Sequence, residues 1–132
     1  MWNNYDHTFL GNLGLLYVNG GFKVLYSIVL QEMMKTQYGL SPNELQVASA
    51  FIILPWDFKI FYGIMSDTVP LPYFRSSPKK GYLIIFSTVQ FSCLLLAAMI
   101  DFPSASYLIY IFFTCSLCGA FMDVVIDGLT CI

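Results

Sequence analysis

The sequence predicts an all-α, polytopic membrane protein with four transmembrane helices, and three observations predict it. Hydrophobic residues make up 58% of the 132-residue chain and charged residues only 11%, against about 45–50% and about 25% in soluble globular domains. The mean hydropathy is +0.69, and a chain this short has no single core able to enclose so much apolar surface. The apolar residues also gather into four stretches of about the 20 residues that cross a bilayer, separated by short breaks marked by Pro, Gly or charge. A soluble monomer and a disordered chain are thereby excluded. The net charge of −2, with six Lys and Arg residues dispersed along the chain, excludes a phosphate-tracking basic stripe and hence a nucleic-acid partner.

The first span is expected over residues 9–30, ending before Gln31-Glu32 and Lys35, with Tyr38-Gly39-Leu40 as the turn. The second, over 42–66, opens on Ser41-Pro42-Asn43-Glu44: Ser41 is an N-cap, Pro42 suits the first helical position, and Glu44 completes a capping box. Pro55 removes one backbone hydrogen bond within that span and predicts a bend. A polar loop with Pro70, Pro72 and Pro78 leads to the third span, 82–100, whose strongly polar side chains are Ser87, Gln90 and Ser92. Asp101-Phe102-Pro103 turns the chain into the fourth span, 104–131, and the whole of 1–132 reads as one helical unit. The N-terminus lacks the basic segment of a signal peptide, so the first helix is expected to be retained. Arg75, Lys79 and Lys80 lie in the loop between spans two and three, while Lys35 is alone on the other side; both termini are therefore expected in the cytoplasm.

An ionisable side chain at membrane depth costs about 2.5–3.5 kcal/mol on insertion scales, so each one is half of a pair or part of a functional site. Asn12, Asn19, Lys23 and Ser27 follow one another at spacings of seven, four and four, which at about 100° per residue gathers them within roughly 80° of arc. Two readings fit this stripe: a water-filled cavity offering Lys23 to an anionic solute, or a packed face with Lys23 paired to a carboxylate. In the second span Lys59, Gly63 and Asp67 share a face, whereas Asp57 points nearly opposite to Lys59. In the fourth, Ser116, Gly119, Ala120, Asp123 and Asp127 form a small-residue face ending in two carboxylates. Measured from their helix starts, Lys59 lies about 24 Å deep and Asp123 about 28 Å. These depths agree within a turn, and a Lys59–Asp123 ion pair is expected.

No enzyme is expected. Two carboxylates one turn apart on a single helix do not make a proton-sharing aspartyl dyad. His7 has no visible partner, and neither a Ser/His/Asp set nor a phosphate-cradling Gly-rich loop occurs. Cys93, Cys115 and Cys118 fall inside apolar runs and Cys131 near the end, as reduced packing residues. The Cys115-x-x-Cys118 spacing sits mid-run, without the turn and second ligand pair of a metal site. No metal and no cofactor are expected.

The segments Gly39-Leu40-Ser41-Pro42, then Leu54-Pro55-Trp56-Asp57-Phe58-Lys59-Ile60-Phe61-Tyr62-Gly63-Ile64-Met65-Ser66-Asp67, then Asp123-Val124-Val125-Ile126-Asp127 together resemble the folate–biopterin transporter family of the major facilitator superfamily. Ile60 stands where that family often has Pro, and Arg75 to Lys80 replaces a denser Arg run. The resemblance implies the N-terminal portion of a carrier of about twelve helices, with four of them present. It also implies that Gly63 and Asp67, with Arg75, belong to a loop motif that locks the cytoplasmic side during alternating access.

Two functions follow. In one, the chain supplies the opening helices of a secondary transporter for folate, pterin or a related small organic solute. Asn12, Asn19, Lys23, Trp56 and Lys59 then line the solute path, and Gly63, Asp67, Arg75, Asp123 and Asp127 serve gating or charge pairing. In the other, the polar residues serve packing in a non-transporting accessory subunit. The expected partners are the bilayer, the remaining helices of a carrier or other membrane subunits, and a small solute.

Overall fold

The computed structural model of the chain describes residues 7–69 and 78–130, with side chains throughout except at 7–9, 12, 13, 15, 16, 19, 78, 129 and 130. All regular structure among the described residues is helical: α1 (His7–Thr36), α2 (Pro42–Ile53), the 3-10 helix η1 (Leu54–Phe58), α3 (Lys59–Thr68), α4 (Pro78–Met99) and α5 (Ala105–Thr130). Among those residues three helical stretches are long and apolar enough to cross a bilayer: Pro42–Thr68, Lys79–Met99 and Ala105–Gly128. The polytopic helical architecture is therefore present. The remaining expected span, the first, at 9–30, falls in α1, which has 30 residues but is diluted by Asn12, Asn19, Lys23 and four glycines between positions 11 and 21.

Each boundary has a local cause. Gly39, at φ 60°, occupies the left-handed conformation that a Cβ disfavours; the Leu40 amide then bonds back to the Met34 carbonyl at 3.2 Å and closes the end of α1. At the start of α2 the capping box is complete, with the Glu44 amide donating to Ser41 Oγ and the Ser41 amide donating to Glu44 Oε2 at 2.8 Å. Buried Pro55 cannot donate an i→i−4 bond. The chain tightens there into η1 and regains α-helical winding after Phe58, at φ −91° and ψ 13°. The rod from 42 to 68 thus carries a 3-10 segment where a bend was expected.

Helix α5 is the hub. Half of its apolar stretch is buried against other helices, against 11% in each of the other two spans. Leu108 and Phe112 near its start meet Leu30 and Met34 of α1 and Ala48 and Ile52 of α2. Toward its end Phe121 and Val125 meet Tyr82 of α4, and the Phe121 ring lies 4.2 Å from Phe86, 5.3 Å from Tyr82 and 5.5 Å from Tyr62. Hydrogen bonds tie the helix ends into two levels: the Tyr38 hydroxyl donates to the Phe102 carbonyl at 3.1 Å at one end, and the Tyr82 hydroxyl to the Val69 carbonyl at 2.6 Å at the other. An apolar groove of about 950 Å³, lined among others by Phe22, Tyr26, Gln90, Phe91, Leu108 and Phe112, runs between α1, α4 and α5.

Candidate functional site

Near the midpoint of the Pro42–Thr68 rod, η1 carries Trp56 on its inner side. The indole N–H donates to Ser116 Oγ of α5 at 3.0 Å, and the ring lies against Gly119 one turn further on. A Cβ at Gly119 would stand 3.8 Å from the Trp56 ring, an ordinary van der Waals contact. The hydrogen bond satisfies the one donor of the indole and fixes its orientation.

Two ammonium groups use the ring so held. Lys23 of α1 places Nζ 3.2 Å from its centroid, and Lys59, the first residue of α3, places Nζ 4.5 Å from it. The two cations therefore lie within about 8 Å of each other, close enough to repel. Lys59 is also bonded to Asp123 Oδ2 of α5, with side-chain exposures of 37% and 23% for the two partners. Spacing explains the convergence: Trp56 and Lys59 are three residues apart, and Ser116, Gly119 and Asp123 fall at steps of three and four on one face of α5. Asp57, between Trp56 and Lys59 in the chain, is exposed and lies outside the cluster.

At the rods' other end a second polar group joins α3, α4 and α5. Lys79 Nζ stands 3.4 Å from Asp67 Oδ1 and donates to the Gly128 carbonyl at 3.2 Å. A Cβ at Gly128 would come within 3.1 Å of that ammonium, and one at Gly63 within 3.4 Å of Val124 Cγ1. Both glycines therefore stand at close approaches, one to a charged side chain and one between helices. Asp127 is exposed beside this group.

Lys23, Trp56, Lys59 and Asp123 are thus brought together, while Gly63 and Asp67 belong to the second group. Arg75 lies outside the described residues, as do the side chains of Asn12 and Asn19. Ser27, the last member of the first-helix stripe, turns its hydroxyl to the Val24 carbonyl of its own helix. Sequence reasoning missed two participants. Ser116 reads only as a small residue but accepts the indole hydrogen bond, and Lys79 reads only as a basic loop residue but is the partner of Asp67. Among the described residues Cys93, Cys115 and Cys118 are free thiols, and no group of three His, Cys, Asp or Glu side chains is placed to hold a metal ion.

The chain is 34% identical over 125 residues to the Probable folate-biopterin transporter 4 of Arabidopsis thaliana, covering 92% of this chain and 25% of that protein. It is 30% identical over 115 residues to the Folate-biopterin transporter of Synechocystis sp. (86% and 22%) and 29% identical over 103 residues to Folate transporter 1 of Plasmodium falciparum (75% and 20%). The chain thus spans a quarter or less of the length of these relatives, which are named as transporters rather than enzymes. No solved structure matches it. With three helices able to cross a bilayer, it is an integral, multi-pass membrane protein. The sequence pattern of the BT1 family runs over residues 20–131, and the chain belongs to the BT1 family.

Proposed function

We propose that the chain forms part of an alternating-access secondary transporter for folate, pterin or a related small organic solute. In this reading α1 is a fourth span, both termini are cytoplasmic, and the four helices form one unit over 1–132. Lys23, Trp56 and Lys59, with Asn12 and Asn19 on the same stripe as Lys23, line the solute path. The observation that carries the reading is the pairing of two lysine ammonium groups with one indole near the middle of a membrane rod, where among the described residues a single carboxylate is ion-paired to them. A cation left unbalanced at that depth is expensive, and an anionic solute group supplies the missing charge. Asp67 and Lys79, joined at the loop end of the rods, act as the cytoplasmic gate with Gly63, Arg75 and Asp127.

Uptake of labelled folate or pterin into membranes carrying the chain tests the proposal. Lys23→Ala removes one charge-assisted contact and is expected to lower uptake about 10- to 100-fold, the equivalent of about 1.5–3 kcal/mol. Asp67→Ala is expected to slow transport while leaving solute binding in place. If no form transports, a stand-alone carrier is removed, and failure of the chain to bind the labelled solute as well leaves the alternative of a non-transporting accessory subunit, with the same charges serving helix packing.

A further inference from the structure

The charge cluster treats its two lysines differently. Lys59 is engaged by Asp123 and stands at the far distance from the indole, whereas Lys23 stands at the near one and forms no ion pair among the described residues, Asp123 acting on it only at longer range. Asp67 is committed to Lys79 at the loop end, and Asp57 is exposed outside the cluster. Resting on the reading of this cluster as the solute site, we propose that Asp123 is a built-in competitor for the solute's charge. It occupies Lys59, so that the site admits one negative group and binds it at Lys23, beside the ring of Trp56.

An anion docking on Lys23 arrives within reach of both the second ammonium and the Asp123 carboxylate, and in the reduced dielectric of a membrane protein neither is screened as in water. While Asp123 holds Lys59, the second cation is neutralised and a further negative group on the solute meets a carboxylate. Asp123 thereby admits one carboxylate of the solute at this point and turns a second one, such as folate carries, away from the cluster, while Lys23 supplies the affinity.

The test uses pteroic acid, which carries one carboxylate, and the full chain in detergent micelles at pH 7. Binding is followed by fluorescence of Trp56 in a Trp2→Phe background, where Trp56 is the sole tryptophan. Lys23→Gln is expected to weaken pteroate binding at least tenfold. Asp123→Asn, which frees Lys59, is expected to tighten it by about tenfold, and Lys23→Gln combined with Asp123→Asn to recover much of what Lys23→Gln alone loses. A second measurement needs only the unaltered cluster: bound pteroate is displaced by benzoate, with one carboxylate, more effectively than by phthalate, with two. Binding that is weakened or unchanged by Asp123→Asn, or displacement that favours phthalate, overturns the competitor role and leaves the solute site standing. Should Asp123→Asn fail to fold, the displacement order decides. Absence of pteroate binding to the parent chain overturns the solute site and the competitor role together.

Discussion

Replacing Lys59 with alanine leaves the Asp123 carboxylate without its ion-pair partner, near the level of the Trp56 ring and between α3 and α5. An unpaired charge at mid-helix depth costs about 2.5–3.5 kcal/mol. The 23% exposure of Asp123 and the 37% exposure of Lys59 leave part of that hydration in place, and we expect a loss of about 2 kcal/mol for Lys59→Ala. Asp123→Ala is expected to lose a similar amount, since it strands the lysine. Removing both charges, in Lys59→Leu with Asp123→Leu, is expected to return the chain to within about 1 kcal/mol of the parent, because the double change strands no charge that was paired before, Lys23 having no ion pair among the described residues in the parent either. Thermal unfolding in detergent micelles, followed by circular dichroism, reads this as a drop in Tm of about 4–8 °C in each single variant and near-parent behaviour in the double. The reasoning is refuted if Lys59→Ala unfolds with the parent while Asp123→Ala does not, or if the two losses simply add in the double variant.

Three further expectations follow from the packing. Phe121 is 1% exposed and surrounded by the rings of Tyr62, Tyr82 and Phe86, so Phe121→Ala should destabilise the α4–α5 end by about 3–5 kcal/mol, with Phe121→Leu losing clearly less in the same unfolding assay. Gly39→Val forces a β-branched residue to φ 60° and should cost about 1–2 kcal/mol through the α1–α2 turn, measured as a lower Tm with helix content retained below the transition. Lys79→Ala should change stability by less than about 1 kcal/mol, since Asp67 is 64% exposed; the proposed gate shows itself instead as faster modification, by a water-soluble maleimide, of a cysteine introduced at the neighbouring buried Ser66, which leaves Asp67 in place.

Much of the fold is legible in the sequence because its signals are local. Long apolar runs between charged or Pro-rich breaks mark the rods, and Ser41-Pro42-Asn43-Glu44 marks the start of α2 within a single turn. Pro55 signals a disturbance, but whether the chain kinks or tightens is settled by what surrounds it, and here the buried ring lies in a 3-10 segment. α1 continues to Thr36, past the Gln31-Glu32 pair that marks its apolar end, since a helix persists into water while its backbone bonds are met, and Gly39 is the first position to break it. The Lys59–Asp123 contact is legible too, as depth: counting 1.5 Å per residue from each helix start places both at nearly one level.

The rest of the site depends on how helices rotate and lean against one another, which no spacing within one helix encodes. Lys23 on its stripe fits a solvated cavity and a paired charge equally well; only the lean of α1 on α5 and α2 lets its ammonium reach the indole. That lean has an identifiable support. Leu30 and Met34 of α1 pack with Ala48, Ile52, Leu108 and Phe112, about two to three turns along the helix from Lys23, and so hold α1 to α2 and α5 on one side of the charges. On α5 the order Leu108, Phe112, Ser116, Gly119, Asp123 runs from that apolar layer into the polar one. Phe121 and Val125, turned toward α4, anchor the same helix without entering the cluster. The charges therefore sit on a frame that does not depend on them for its packing. This is the arrangement a binding site needs if Lys23 is to exchange its partner without the helices coming apart.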